Sequence, residues 1–271
     1  MSKMINKFIV DYHVHSHFSS DSSASILDIA KVAVEKGISE IAITDHFEPI
    51  NLKNLYKDYN PSILLLEIEE ARERYKDKLI ILHGVEYGQP HHFPEISKHI
   101  LQSHDFDYIL GSTHKNKDFL DVNKFDYVSG DIQTIVKHYF SEIKDMAVDN
   151  NFDCIGHLDL IRRYGAVKKV VISLENYIED IVDIFDIIIK NGKGIEVNTS
   201  GLRQKMNSSM PDLDIVKLYH ARGGKIITIG SDAHVASQVG SDIDAGLFMI
   251  KKAGFKTITT FQKREPHFIT I

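Results

Sequence analysis

Residues 37–47 read GISEIAITDHF, and this stretch decides the fold class. Gly37 follows an amphipathic segment near 25–36, and glycine is the residue type that most often ends a helix. The run IAIT is continuously apolar rather than alternating, which is typical of a parallel strand buried on both faces. Asp45 and His46 follow directly, where the strand ends. The stretch therefore predicts a helix, a buried parallel strand and two polar side chains at its carboxyl end.

The same alternation of short apolar runs and longer amphipathic runs extends along the whole chain. Predicted strands lie near 7–13, 40–45, 79–87, 106–113, 152–158, 194–199, 225–231 and 256–261. Predicted helices lie near 25–36, 61–77, 94–104, 131–149, 173–191, 211–222 and 242–253. Seven βα units with one strand to spare, and no linker of different composition, predict an α/β barrel in a single domain, residues 1–271. A doubly wound open sheet is the alternative.

The composition excludes several classes of protein. The 271 residues fit one large barrel domain or two ordinary domains, and 43% apolar with 26% charged residues is typical of a globular protein. A net charge of −6 without a basic block argues against a nucleic-acid partner. No run reaches the ~18 apolar residues of a membrane span, and no signal-peptide core is present. The single cysteine, Cys154, suits a reducing compartment, so we expect a cytoplasmic protein. We expect no membrane partner, and the sequence does not indicate the oligomeric state.

Residue types that bind metals follow six of the seven predicted barrel strands at their carboxyl ends. They are His13 and His15, Asp45 and His46, Glu86, His114, His157 and Asp159, and Asp232 and His234. The sixth strand ends in Asn198. Barrel enzymes place their active sites at this face, where the carboxyl ends of the strands gather. A packing role would explain one histidine but not the same placement on six strands, so the pattern predicts a metal cluster.

Spacing within the strands adds detail to this cluster. His13 and His15 are two residues apart, so they point to the same face of a strand and can bind one ion. Asp232 and His234 have the same separation. Glu86, unlike a histidine, can bridge two cations and hold them ~3.5–4 Å apart. Imidazoles and carboxylates without thiolates fit zinc, manganese or iron(II), and do not fit a structural zinc finger.

Six motifs in order carry a resemblance to a known family. They are DYHVHSHFSSDS (11–22), ITDHF (43–47), HGVEYG (83–88), GSTHK (111–115), CIGHLD (154–159) and GSDAH (230–234). Together they resemble the PHP (polymerase and histidinol phosphatase) family over about residues 10–240. GHLDLIRRYG (156–165) and EVNTSGLR (196–203) are similar to its histidinol-phosphate phosphatase branch. The resemblance implies a distorted (β/α)7 TIM-like barrel that binds two to three divalent metal ions (Zn, Mn or Fe).

The resemblance also implies how the ligands are shared among the ions. The sets are His13, His15, Glu86 and Asp232 for one ion, Glu86, His114 and His157 for a second, and Asp21, His46 and His234 for a third. Many family members have a histidine where this chain has Asp21. A carboxylate at that position can still ligate a divalent ion.

Two arginines predict the substrate class. Arg162 lies in the loop predicted after the fifth strand and Arg203 in the loop after the sixth, so both are expected to overhang the metal-binding rim. A guanidinium fork matches phosphate oxygens, and two of them beside a metal cluster predict a phosphate clamp. The resemblance implies the same role. Arg163 is expected to point elsewhere and to be structural.

The remaining candidates divide into catalytic, substrate-binding and supporting side chains. Asp232, His234 and Asp159 are the catalytic candidates, and the sequence does not choose between the last two as the group that assists the leaving oxygen. His17 is a candidate substrate contact, with a surface position as the alternative. Asp45 and Asp159 are expected to orient ligand imidazoles.

Four further side chains are expected to lie outside the site. His83 and Cys154 each precede a ligand by three residues and therefore occupy the opposite strand face, where they are expected to pack in the core. His91 and His92 fall in a predicted loop and are expected to face solvent.

These features predict a metal-dependent phosphomonoesterase acting on a small-molecule phosphate ester. The resemblance implies that the substrate is L-histidinol phosphate, cleaved to L-histidinol and phosphate in histidine biosynthesis. Three alternatives remain: a phosphoesterase for another small phosphate such as a nucleotide or a phosphotyrosine peptide, a polymerase-associated nuclease, and a metal-binding scaffold without catalysis. The net negative charge argues against the nuclease. The ligand set departs from the family pattern only at Asp21, which argues against a scaffold without catalysis.

Overall fold

A computed structural model describes residues 8–49 and 59–271 of the chain. The strands in these ranges are β1 (Val10–Val14), β2 (Glu40–Ile43), β3 (His46–Phe47), β4 (Ile80–Gly88), β5 (Tyr108–Ser112), β6 (Cys154–Ile155), β7 (Gly194–Asn198), β8 (Ile227–Gly230), β9 (Thr257–Gln262) and β10 (Glu265–Thr270). The α-helices are α1 (Ile26–Glu35), α2 (Pro61–Tyr75), α3 (Pro94–Ser103), α4 (Ile132–Asp149), α5 (Leu160–Val167), α6 (Ile178–Lys190), α7 (Leu213–Ala221) and α8 (Ile243–Lys252). The start of the first predicted strand, at residue 7, lies outside the described residues.

The main sheet is parallel throughout and forms a nearly closed barrel. Its strand order is β1-β2-β4-β5-β6-β7-β8, and the short β3 pairs with β4. The first and last strands meet just beyond their carboxyl ends, where the His15 N–H donates to the Ala233 carbonyl at 2.9 Å and the Ala233 N–H to the His13 carbonyl at 3.3 Å. The prediction of a (β/α)7 barrel is therefore confirmed, and the open-sheet alternative is wrong.

Local signals at the helix ends set the lengths of the βα units. The Ser25 hydroxyl accepts a hydrogen bond from the Asp28 N–H at 3.1 Å and so caps α1. Asn60 caps α2, and Pro61 occupies its first turn, where a missing N–H costs nothing. Gly37, with φ of +69°, turns the chain after α1 in a conformation that favours glycine. The chain therefore enters β2 directly, as the opening stretch of the sequence predicts.

Two elements differ from the sequence prediction. The last predicted strand is β9, which pairs antiparallel with β10 instead of continuing the parallel sheet. Lys263 and Arg264 connect them with φ of 50° and 66°, the left-handed pair that a tight two-residue hairpin requires. The second difference is α5, which replaces a predicted loop. It begins three residues after His157, and it determines which arginine reaches the site.

An aromatic cluster packs β9 against the barrel. The Tyr108 ring lies 5.1 Å from both the Tyr12 and the Phe261 rings, and all three side chains are buried. The Phe261 N–H donates to the Tyr12 hydroxyl at 2.8 Å, so the tyrosine is held by a polar contact as well as by packing. Cys154 is a fully buried free thiol, in agreement with its predicted core position.

Candidate metal centre

A cavity of about 450 Å³ opens at the carboxyl ends of the barrel strands. The residues predicted as metal ligands converge there from β1, β3, β4 and the loops that follow β5, β6 and β8. Ligand side chains that line the cavity are Asp21, His46, Glu86, His114, His157, Asp232 and His234, while His13 and His15 lie buried behind them. The rings of His13 and His157, from strands on different sides of the barrel, are only 5.7 Å apart. One rim thus gathers all nine side chains.

The first predicted ligand set forms a compact group of four donors. His13 Nε2 lies 3.0 Å from His15 Nε2 and 3.5 Å from Glu86 Oε2. Asp232 Oδ1 lies 3.8 Å from His13 Nε2 and 3.6 Å from His15 Nε2. Donors bound tetrahedrally at ~2.1 Å stand about 3.4 Å from one another, so this spacing suits one divalent ion.

The second set uses the other oxygen of the same glutamate. Glu86 Oε1 lies 3.1 Å from His114 Nε2 and 2.9 Å from His157 Nε2, and these two nitrogens are 3.3 Å apart. Since Oε2 belongs to the first set, Glu86 presents one oxygen to each group. A carboxylate shared in this way can hold two ions side by side.

The third set lies nearer the solvent. Asp21 Oδ1 lies 3.7 Å from His46 Nε2, and Asp21 Oδ2 lies 3.3 Å from His234 Nε2. The Asp21 side chain is 57% exposed, whereas that of Glu86 is fully buried. This set is therefore more open than the other two.

The donor sets fit divalent cations by chemistry as well as by spacing. Glu86 Oε2 is buried, and no group among the described residues hydrogen-bonds to it, although His46 Nδ1 lies 2.7 Å away. A buried carboxylate oxygen without a hydrogen bond is costly, and a cation would compensate it. Imidazole and carboxylate donors match zinc, manganese or iron(II).

Three of the ligands have charge states that suit metal binding. Two others do not share this property, since Glu86, against the effect of burial, raises the pKa of His46 to about 9 and that of His114 to about 10. Burial would raise the pKa of Glu86, but His114 and His13 hold that pKa well below its usual value. Burial would likewise raise the pKa of Asp232, but His13 and His15 hold it well below its usual value. Burial, with neighbouring His46, lowers the pKa of His15. These carboxylates are thus ionised and this imidazole is neutral, which are the forms that bind cations.

Three polar side chains hold the ligand imidazoles from behind. Glu196 Oε1, on β7, lies 2.7 Å from His13 Nδ1, and Glu48 Oε1 lies 2.5 Å from His114 Nδ1. Ser19 Oγ lies 3.0 Å from His15 Nδ1 and donates to Asp45 at 2.6 Å. Such contacts set ring orientation and tautomer. Glu196 and Glu48 belong to none of the predicted ligand sets, although Glu196 stands two residues before Asn198 and so shares its strand face. Asp45 acts on His15 through Ser19 and not directly.

The arginine that lines the cavity is Arg163, whereas the two predicted phosphate contacts are Arg162 and Arg203. Arg162 Nη1 donates to both Asp159 Oδ2 and Asp212 Oδ2 at 2.8 Å, and Arg162 does not border the cavity. Arg163 does border it, and its Nη1 donates to Asp232 Oδ2 at 3.1 Å. The two arginines occupy consecutive positions on α5, about 100° apart around the helix, so only one can face the rim. In this structure Arg163, and not Arg162, therefore borders the cavity.

Arg203 lies at the rim after β7, as predicted, but its side chain contacts the backbone. Its Nη2 donates to the carbonyls of Ser231 at 2.5 Å and Asp232 at 3.2 Å, so it braces the turn that carries Asp232. It does not border the cavity, because this contact draws the guanidinium towards the backbone after β8. Lys115, which the sequence analysis did not single out, does border the cavity, and its ammonium pairs with Glu48 and with Asp121 at 3.0 Å.

The remaining candidates lie around the rim or below it. His17 is 40% exposed, sits 3.4 Å from Glu67 and does not line the cavity, which matches the surface alternative. Asp159 is fully buried against Arg162, and burial raises the pKa of its carboxyl to about 6. His83 packs on Phe106 in the core, as predicted.

His91 and His92 are not solvent-facing, contrary to prediction. Their side chains are 9% and 10% exposed, and both contact Glu142 of α4. The sequence could not indicate this contact, because Glu142 is about fifty residues further along the chain.

Comparison with known proteins places the chain among related sequences. A family model described as the PHP domain matches residues 11–200. A histidinol-phosphatase of Lactococcus lactis subsp. lactis is 29% identical over 255 residues, which cover 93% of this chain and 94% of the relative. A probable histidinol-phosphatase of Thermotoga maritima is 30% identical over 256 residues, covering 94% of this chain and 97% of the relative.

Solved structures give the same picture of the fold. The crystal structure of histidinol phosphate phosphatase from Lactococcus lactis, complexed with zinc, L-histidinol and phosphate, matches with a TM-score of 0.84 at 26% identity. The match covers 96% of this chain and 98% of that one. A putative histidinol phosphatase from Listeria monocytogenes, 17% identical, matches with a TM-score of 0.75 and shows a shared fold.

Proposed function

The chain belongs to the PHP domain family, and from this premise we propose that it is a metal-dependent phosphomonoesterase that hydrolyses L-histidinol phosphate to L-histidinol and phosphate. The observation that carries the proposal is the position of Glu86. Its two carboxylate oxygens face two separate groups of imidazoles inside one cavity. That arrangement suits a pair of divalent ions acting on one phosphoryl group.

The proposed cofactor is a cluster of two to three divalent ions of zinc, manganese or iron. His13, His15, Glu86 and Asp232 would hold the first ion, Glu86, His114 and His157 the second, and Asp21, His46 and His234 the third. Such ions supply Lewis acidity that neutralises charge on phosphoryl oxygens. Glu196, Glu48 and Ser19 would keep three of the imidazoles in their ligating orientation.

We assign binding of the phosphate charge to Arg163 and Lys115. Both border the cavity, and each is already anchored by a carboxylate, Arg163 by Asp232 and Lys115 by Asp121. Anchoring fixes a long side chain before the substrate arrives, so less conformational entropy is lost on binding. The guanidinium of Arg163 has five N–H donors, which leaves several for phosphoryl oxygens. Arg203 contributes by holding the turn at Asp232 in place.

The leaving alkoxide needs a proton, and His234 is the best-placed candidate. It lines the cavity, and Asp21 and Asp232 raise its pKa against the opposing effect of burial. This role applies to the two-ion state, in which its Nε2 does not ligate a third ion. Asp159 does not border the cavity and is committed to Arg162, so we propose a structural role for it.

We propose that residues 1–271 act as one domain with a small-molecule substrate in the cytoplasm and without a nucleic-acid partner. The barrel sheet runs from β1 to β8 and nearly closes, which supports a single unit. Among the helices of the described residues, none is long and apolar enough to cross a membrane. The net charge of −6 is unfavourable for binding phosphate backbones.

A substrate panel tests the proposal. The protein is stripped with a chelator, reloaded separately with Zn²⁺, Mn²⁺ or Fe²⁺, and assayed for phosphate release from L-histidinol phosphate, p-nitrophenyl phosphate, phosphotyrosine and a nucleoside monophosphate. We expect no turnover in the stripped protein and the highest kcat/KM for L-histidinol phosphate. Equal kcat/KM on all four esters would refute the substrate assignment, and full activity without metal would refute the mechanism.

A further inference from the structure

A second group of metal-binding side chains lies apart from the ligand sets at the rim. It consists of His91 and His92, which form a 3₁₀ turn after β4, and Glu142 on α4. Glu142 Oε2 lies 3.1 Å from His91 Nε2 and 2.7 Å from His92 Nε2. One donor atom from each side chain lies within 4.8 Å of the other two. Two neighbouring imidazoles therefore converge, through the same ring nitrogen, on one carboxylate oxygen.

The surroundings hold Glu142 ready to ligate with that oxygen. Its other oxygen, Oε1, accepts a hydrogen bond from the Lys117 backbone N–H at 3.0 Å. This bond fixes the carboxylate plane and leaves Oε2 to the histidines. The turn that presents His91 and His92 is itself closed by the His92 N–H, which donates to the Gln89 carbonyl at 3.0 Å. Backbone hydrogen bonds thus place the Glu142 carboxylate and the histidine turn before any ligand binds.

The charge balance of the cluster favours a cation. Glu142 is 12% exposed, and no lysine or arginine of the described residues lies within ion-pair distance of its carboxylate. A largely buried carboxylate without a lysine or arginine partner is compensated poorly. A divalent ion between the three donors would remove this deficit.

We propose that His91, His92 and Glu142 form a mononuclear divalent-cation site, separate from the rim centre and best matched to Zn²⁺. Two imidazoles and one carboxylate, with water in the fourth position, form a ligand set that zinc adopts in proteins. The alternative is that these side chains form only a hydrogen-bonded cluster and bind no ion, and the test below distinguishes the two. The inference does not depend on the proposed substrate.

An ion at this site would brace the part of the rim that carries His114. Gln89 precedes the histidine turn, and its side-chain oxygen accepts hydrogen bonds from the backbone N–H groups of His114 at 2.5 Å and Lys115 at 2.8 Å. Glu142 holds the same loop through Lys117. The ion would therefore tie the histidine turn, α4 and the loop of His114 together. Its role is structural, since none of its three ligands lines the rim cavity.

The test counts metal ions in the full-length protein. Wild type, Glu142→Gln, His92→Asn and the control Asp145→Asn are stripped, dialysed against excess Zn²⁺ and then against metal-free buffer, and zinc per chain is measured by elemental analysis. Asp145 is exposed on the same helix, so its variant controls for loss of a carboxylate from α4. We expect Glu142→Gln and His92→Asn each to bind one equivalent fewer than wild type, and Asp145→Asn to match wild type.

A second measurement separates this site from the rim centre and from misfolding. In a Glu86→Gln background, which weakens the rim sets, adding Glu142→Gln should remove one further equivalent of zinc. Circular dichroism identifies any variant that fails to fold, and His91→Asn then takes its place. Equal zinc content in wild type and in a folded Glu142→Gln protein overturns the proposal and leaves the hydrogen-bonded cluster as the explanation. Activity is not the readout, so loss of the substrate assignment would not affect this result.

Discussion

Arg163 Nη1 lies 3.1 Å from Asp232 Oδ2, while its neighbour Arg162 turns away to Asp159 and Asp212. Two adjacent arginines therefore serve different purposes. Arg163 forms an ion pair with the proposed metal ligand Asp232 at the edge of the cavity. Arg162 neutralises the carboxylate of Asp159, which is fully buried. The pair allows substrate binding and stability to be tested with one type of substitution at two consecutive positions.

We expect Arg163→Ala to lower kcat/KM on every phosphomonoester without removing metal. Loss of a charge-assisted contact to a phosphoryl group costs about 2–4 kcal/mol, or roughly thirty- to a thousandfold in kcat/KM. Arg163→Lys should recover only part, because a point charge lacks the planar fork. Steady-state kinetics with L-histidinol phosphate and p-nitrophenyl phosphate provide the measurement.

Arg162→Ala is the matched control. It leaves the buried Asp159 without its cation, so we expect a loss of about 1–3 kcal/mol in the free energy of unfolding and a smaller change in kcat/KM than Arg163→Ala causes. Urea denaturation measures the first quantity. If Arg162→Ala instead abolishes turnover while stability and metal content stay at wild-type values, the assignment of Arg163 as the phosphate contact is wrong.

The sequence could predict the ligands better than the arginines, and the reason is geometric. His13 and Glu86 lie near the carboxyl ends of parallel strands and Asp232 follows another one. Because these ends meet at one rim, the barrel brings the three side chains together. Arg162 and Arg163 lie on α5, where a shift of one residue rotates a side chain by about 100°. Without knowing where that helix begins, no sequence pattern could decide which arginine faces the cavity.

Contacts between distant parts of the chain could not be predicted for a different reason. Glu196 contacts His13, which is 183 residues away along the chain, and Glu142 contacts His92, which is 50 residues away. No local periodicity links such pairs, since only the packing of whole elements brings them together. The sequence nevertheless indicates that Glu196 has a partner, because a charged residue inside the apolar strand GIEVN is costly to bury alone.

Glu86→Gln should disturb two ion sites at once. The amide keeps the size of the side chain but lacks the charge and the second anionic oxygen that both groups of imidazoles face. We expect metal content to fall by more than one equivalent per chain and kcat/KM to fall about a hundredfold or more, as when transition-state charge loses its support. Elemental analysis beside the assay checks both. Retention of the full metal content would show that Glu86 does not bridge.

Asp21→Asn should affect the third ion alone. Asp21 contacts His46 and His234 but none of the donors of the other two sets. We therefore expect loss of at most one equivalent of metal, with the other two retained, and this distinguishes it from Glu86→Gln. Zinc content measured after dialysis of both variants in parallel gives the comparison. Loss of all metal from Asp21→Asn would mean that the three sets do not fill independently.

Glu196→Gln tests a residue that supports a ligand without binding metal itself. Glu196 Oε1 lies 2.7 Å from His13 Nδ1, so its charge increases the basicity of the opposite ring nitrogen. Removing such a partner typically lowers metal affinity about 10–100-fold. Competition with a fluorescent zinc chelator measures this change, and Glu179→Gln, exposed on α6, is the control. An unchanged affinity would assign Glu196 to packing.

The pH dependence of stability should contain a contribution from Glu40, which lies at the amino end of β2, opposite the end that leads to His46. Burial raises the pKa of Glu40 to about 7, although a hydrogen bond from Tyr12 opposes the change. Because the folded-state pKa exceeds the usual value of 4.5, the folded protein binds this proton more tightly than the unfolded chain does. The stabilisation is therefore full below about pH 4.5 and is lost as pH rises through 7.

Glu40→Gln isolates this contribution, because the amide resembles the protonated acid at every pH. A difference of about 2.5 pKa units corresponds to at most about 3 kcal/mol. We expect Glu40→Gln to gain stability relative to wild type between pH 5 and pH 8 by up to this amount, as measured by urea denaturation at several pH values. Glu35→Gln, exposed on α1, should show no such trend. Parallel stability curves for wild type and Glu40→Gln would mean that Glu40 is ionised in the folded protein throughout this range, with the Tyr12 hydrogen bond outweighing burial.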